Sequence, residues 1–132
     1  MSTMSEEEKL KLVKTATKLD AKGSIAITLN GRTTKTEDVY ILDAPDNSLM
    51  GWIGEDKGIV IIQFRSLTGP GSYDVKNYDI WIYMAFNGFL GEAETGDLTL
   101  DTFEMKNKYK GHFNIKTVDH QKVDGVFDLW KV

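Results

Sequence analysis

From Gly23 onward the sequence alternates apolar and polar residues with a period of two, and it breaks at a turn every few residues. A period of two puts successive side chains on opposite faces of an extended chain, so this stretch reads as strands rather than amphipathic helices. Ile25, Ile27 and Leu29 alternate, and Asn30-Gly31 follows as a type I′ hairpin signal. Residues 32–42 resume as a strand ending in Val39-Tyr40-Ile41-Leu42, and Ala44-Pro45-Asp46-Asn47-Ser48 reads as a turn. Residues 49–53 and 59–64 flank Gly54-Glu55-Asp56-Lys57-Gly58, a second hairpin. Ile59-Val60-Ile61-Ile62 and the run 78–86 are apolar on both faces, as expected of strands covered on both sides. Gly69-Pro70-Gly71, Asn87-Gly88 and Lys106-Asn107-Lys108 supply further breaks, and Leu98 and Leu100 alternate between the last two of them.

The start of the chain differs. Ser5 and Glu8 form a capping box, and Glu6, Glu7 and Glu8 lie at the positive end of a helix dipole. Lys14, Lys18 and Lys22 lie toward the negative end, and Gly23 supplies a stop. Leu12, Val13, Ala16 and Leu19 make an apolar stripe at helical spacing. The pattern predicts a helix from residue 5 to about residue 20. Its short stripe without Trp or Phe suits packing on a sheet better than lying on a membrane. The expected fold is mainly β: an antiparallel β-sandwich or flattened barrel of about eight or nine strands with one N-terminal α-helix. Residues 1–22 hold the helix, and residues 23–132 form a single antiparallel β domain.

Composition narrows the function. The 132-residue chain contains no cysteine, which excludes a disulfide framework, a thiolate metal site and a cysteine nucleophile. A formal charge of -4, with both signs interspersed, argues against nucleic acid as a partner. Three acids near the N-terminus occupy the place where a signal peptide would be basic, so a soluble cytoplasmic protein is expected. There is no phosphate-binding glycine loop, and no cofactor is expected.

The C-terminal hairpin is the most legible segment. Tyr109, Phe113 and Ile115 alternate with Lys110, His112, Asn114 and Lys116. A five-residue loop over 118–122 would set Phe113 against Phe127 inside. Outside it would set Lys116 against Asp124, His112 against Asp128 and Lys110 against Trp130. Lys110, His112, Lys116, Lys122 and Trp130 would then form a basic strip with one aromatic residue.

Thr95-Gly96-Asp97-Leu98-Thr99-Leu100-Asp101, Lys110-Gly111-His112-Phe113-Asn114-Ile115 and Val123-Asp124-Gly125-Val126-Phe127-Asp128 follow a recurring layout. It resembles the uncharacterised small β-sandwich domains common in bacterial lipoproteins, and the likeness spans roughly residues 24–129. The resemblance implies a fold and carries no activity or site residues. The chain departs from that layout by lacking a lipoprotein signal and by adding the N-terminal helix. The chain length and the ending Val123-Asp124-Gly125-Val126…Trp130-Lys131-Val132 also resemble intracellular lipid-binding barrels. Those open with a Gly-x-Trp strand that is missing here.

Catalytic patterns are weak. His112 and His120 are separated by the hairpin loop. Glu92, Glu94, Asp97, Asp101 and Glu104 cluster in sequence, and a hydrolase would need two of them across a cleft. Asp43, Asp46 and Asn47 do not match the spacing of a calcium loop. The expected role is therefore non-catalytic: a protein-interaction or ligand-binding module. Trp81, Tyr83, Trp130, Lys110 and His112 are the candidate binding residues, with a protein partner or self-association first and an apolar ligand or a carbohydrate next. The alternatives are a small apolar-ligand carrier with an internal cavity and, third, a carboxylate-dependent hydrolase.

Overall fold

The computed structural model describes residues 7, 18–42, 47–65, 67–104 and 107–132. Ten strands are present: β1 (Lys18–Leu29), β2 (Arg32–Thr36), β3 (Val39–Leu42), β4 (Asn47–Ile53), β5 (Gly58–Phe64), β6 (Gly71–Asp74), β7 (Trp81–Phe86), β8 (Phe89–Glu104), β9 (Lys108–Thr117) and β10 (Lys122–Lys131). All pairings are antiparallel, and eight strands run in the order β10-β9-β8-β7-β5-β4-β3-β1. β1 then pairs with β10 from Ala21↔Lys131 to Leu29↔Val123, which closes the sheet into a barrel. β2 and β6 are extra strands, added to β1 and β8 respectively. Both are short, as exposed edges tend to be.

Two strands turn the barrel's corners. β1 pairs with β3 over Lys18–Asp20, then with β2 over Ile25–Leu29. β8 pairs with β7 over Phe89–Glu92, then with β6 over Asp97–Leu100, with register shifts against β9 at Ala93/Thr95 and Leu100/Thr102. Such irregularities bend a strand and let it serve two sheet halves. We call the half built on β3, β4, β5 and β7 the first half, and the half built on β2, β10, β9 and β6 the second. Gly23 sits at the β1 corner with φ 117, and a Cβ there would lie 1.8 Å from the carbonyl oxygen of Asp128. The sequence suggested this glycine as a helix stop, but its role is to let two strands approach at a bend.

Several expectations are corrected. Residues 18–22 are strand, because Leu19 pairs with Ile41 and Asp20 with Tyr40 in the sheet. The rest of the expected helix lies outside the described residues apart from Glu7, as do Asp43 and Asp46. The expected strand 32–42 is split after Thr36, and its two parts join different halves of the barrel. The strand expected from residue 78 starts at Trp81, after a turn. The Asn30-Gly31 turn is as read, with φ of 52 and 76.

The final hairpin is also slipped by two residues from the charge-paired register. Phe127 faces Gly111 and Phe113 faces Gly125, so the two phenylalanines are not opposite each other. An even slip keeps every side chain on its expected face. It sets Asp128 opposite Lys110, His112 opposite Val126, Lys116 opposite Lys122, Asp124 opposite Asn114 and Trp130 opposite Lys108. The inner face explains the choice. The Phe113 ring lies against Gly125, where a Cβ would come within 2.2 Å of it. Covering a glycine with an aromatic ring fills the interior without overlap. The opposite-charge pairs given up outside are worth only about 0.2–1 kcal/mol each.

The interior is filled by one apolar cluster that includes Phe64, Tyr109, Phe113 and Phe127, all at most 1% exposed. Tyr109 meets Phe64 and Phe103 edge-on at 5.5 Å, and Phe64 and Phe103 are tilted against each other at 6.0 Å. Gly125→Ala should destabilise the protein by about 1–3 kcal/mol in urea unfolding. In a Phe113→Leu background the same change should cost less than about 1 kcal/mol, since the clashing ring is gone. Equal costs in both backgrounds would contradict the ring-over-glycine packing.

Candidate functional site

The two halves of the barrel have outer faces of opposite character. On the first half the outward row Tyr40–Met50–Ile61–Tyr83 is set by successive pairings. It is flanked by Leu42, Ile59 and Trp81, and these form a second apolar cluster separate from the interior. Trp81 and Tyr83 stack at 5.5 Å and are 7% and 5% exposed. The Trp81 indole N–H donates to Glu92, which lies opposite Tyr83 on β8. Both candidate aromatics therefore lie in a packed layer. At its margin the Tyr40 hydroxyl donates to Asp38 at 2.7 Å. That hydrogen bond, followed by burial and by the charges of Asp38 and Asp20, holds the pKa of Tyr40 above its ordinary value.

The second half presents a polar face six strands wide. One row runs Lys35–Ala26–Val126–His112–Thr99–Ser72. The next is Ser24–Asp128–Lys110–Thr102, and the one beyond it is Lys22–Trp130–Lys108–Glu104. On the other side of the first row lies Thr33–Thr28–Asp124–Asn114–Asp97–Asp74. Lysines and carboxylates are interspersed around Trp130, and Asp124, Asp97 and Asp74 lie in one row on the far side of the first. Trp130, Lys110 and His112 share this face, whereas Trp81 and Tyr83 belong to the other one.

Trp130 is 41% exposed and lines an open groove of about 510 Å3 with Lys22, Lys35, Glu37 and Asp128. Asp128 Oδ1 is buried there and has no hydrogen-bond partner. Two lysines and two carboxylates line the groove, so its formal charge cancels. Nothing local in the sequence ties Lys22, Lys35 or Glu37 to Trp130. They reach Trp130 only because β1 and β2 close onto β10, about a hundred residues away in sequence.

Other candidates are dispersed. Glu92 faces outward on the first half, while Asp97 lies in the outer row of the second. Glu92 and Glu104 lie near opposite ends of β8, separated by about 40 Å of chain contour at roughly 3.3 Å per residue along a bent strand. The acidic run is therefore strung along one strand. Among the described residues no group of three or more His, Asp or Glu is placed to hold a metal ion, and no helix is long and apolar enough to cross a membrane. Comparison with known protein families, curated proteins and solved structures finds no match.

The tryptophans should separate by environment. Trp130→Phe should remove the emission component most readily quenched by acrylamide, and Trp81→Phe should remove the blue-shifted, protected one. Retention of the quenchable component in Trp130→Phe would place that side chain elsewhere.

Proposed function

We propose that this barrel is a non-catalytic binding module that takes a small, uncharged, polyhydroxylated ligand of carbohydrate type in the groove at Trp130. The observation that carries this reading is the pairing of an exposed Trp130 ring with a buried, unpartnered Asp128 oxygen in one groove. A buried acceptor without a partner costs about 1–3 kcal/mol, and a ligand hydroxyl donating to it recovers that cost. The indole face offers an apolar platform for a ring, with its polar edge free to bond. Lys22, Lys35 and Glu37 add donors and acceptors around the rim. The cancelling charges of the groove favour an uncharged ligand over an anion. The filled barrel interior supports binding outside rather than carriage of an apolar ligand within.

A protein partner is the second reading. It is favoured by Val126, which is 61% exposed in the middle of the same polar face. Apolar residues at the centre of a polar rim are typical of interfaces.

Titration of the protein with neutral mono- and disaccharides, followed by calorimetry and Trp130 emission, tests the first reading. Trp130→Ala and Asp128→Asn should each weaken binding at least tenfold, or about 1.4 kcal/mol. Asp128→Asn should keep or raise the urea midpoint, because it replaces a carboxylate that has one buried oxygen without a hydrogen-bond partner by a neutral amide. Absence of saccharide binding at millimolar concentration, or equal binding by both variants, would reject the reading. Loss of self-association in Val126→Asp would favour the second.

A further inference from the structure

The dipeptide Asn-Gly occurs twice, at Asn30-Gly31 between β1 and β2 and at Asn87-Gly88 between β7 and β8. Both make two-residue hairpin turns with nearly the same backbone. The φ angles are 52° and 76° in the first turn, and 49° and 79° in the second. All four residues are exposed, and a Cβ at Gly31 or Gly88 would meet nothing within 4 Å. Each turn is closed by the residues on either side of it, Leu29 with Arg32 and Phe86 with Phe89. The hydrogen bond of such a turn joins those flanking residues and leaves the glycine N–H unbonded.

The two asparagines differ in what holds them. The Asn87 carboxamide oxygen accepts the Glu55 backbone N–H at 3.0 Å. The Asn87 backbone N–H donates to Asp56 Oδ2, also at 3.0 Å. The turn between β4 and β5 thus folds against this side chain, and a Cβ at Gly54 would lie 2.6 Å from Asn87 Oδ1. The Asn30 carboxamide makes no hydrogen bond among the described residues. The two sites therefore match in sequence, exposure and backbone, and they differ in the grip on the asparagine.

We infer that Asn30 is a site of spontaneous covalent modification, closing on Gly31 to a cyclic imide, and that Asn87 is protected by the turn that grips it. The Gly31 nitrogen gives its proton to hydroxide and attacks Cγ of Asn30. A new C–N bond forms, and the carboxamide nitrogen leaves as ammonia, taking a proton from water. A second water opens the imide at either carbonyl. The product is aspartate, or isoaspartate with the main chain routed through the former side chain. Glycine permits the attack because it has no Cβ to crowd the nitrogen. The carboxamide must swing over that nitrogen first. At Asn30 the swing breaks no hydrogen bond. At Asn87 it gives up the bond from Glu55 and disturbs the one to Asp56, which slows the step by roughly tenfold. Modification adds a negative charge beside Arg32. In the isoaspartate form it also lengthens the turn that pairs β2 with β1, and β2 carries Lys35 to the Trp130 groove. The inference rests on the two turns and is independent of the ligand assigned to that groove.

Incubation of the folded full-length protein at mildly alkaline pH, followed by peptide mass spectrometry, tests this. Residue 30 should gain the mass of an amide-to-acid change roughly tenfold faster than residue 87, and both aspartate and isoaspartate should appear there. In guanidinium chloride the two sites should convert at similar rates, because the dipeptide is the same and the grip on Asn87 is gone. No conversion at residue 30, equal rates in the folded protein or faster conversion at residue 87 would overturn the inference. A difference that persists undiminished in the denatured chain would overturn it too, since the fold would then not be its cause.

Discussion

The antiparallel pairing of β1 with β10 joins the two ends of the described chain, and most of the remaining structure depends on it. Ala21 through Leu29 align with Lys131 through Val123. Without that seam the sheet would have two long free edges, and Ile25, Ile27, Phe127 and Leu129 would lose their neighbours across it. Gly23 makes the seam possible, because no side chain fits between β1 and the Asp128 carbonyl. The seam also builds the groove by placing Lys22 and Ser24 beside Trp130 and Asp128. Closing a loop of this length costs only a little more entropy than closing a shorter one, but it must happen before the contacts it enables can form. Such non-local barrels fold in roughly milliseconds to seconds.

The features legible in the sequence were those decided within a few residues. The Asn30-Gly31 turn, the hairpin at Gly54–Gly58 and the inward and outward faces of β9 and β10 follow from backbone preference and alternation. The errors arose where a distant partner outweighed a local signal. Lys18–Lys22 carry helical charges yet join β1, because Ile41 and Tyr40 are there to pair with them. The final hairpin sits two residues from the charge-paired register because fitting Phe113 over Gly125 outweighs two weak opposite-charge pairs, and Asp128 faces Lys110 in the register adopted.

Only part of the candidate groove is legible in the sequence. Trp130, Lys110 and His112 share one outer face, since one hairpin carries all three. Trp81 and Tyr83 carry no local mark that separates them from Trp130 as candidates, and only tertiary packing places them in a buried layer on the other half. Lys22, Lys35 and Glu37 carry no local mark that would tie them to Trp130. Asp128 was visible as a charge, whereas its unpartnered oxygen is a property of the assembled groove.

One half of the barrel thus spends its outer surface on packing, and the other keeps a polar face open with Trp130 at one end. Both assignments require that the sheet closes where β1 meets β10. Amide exchange combined with cross-strand Overhauser contacts measures that closure directly. The account predicts contacts between Ile25 and Phe127 and between Ile27 and Gly125, with the amides along this seam among the slowest to exchange. Rapid exchange along both strands, with no contacts between them, would mean an open sheet and would contradict the account.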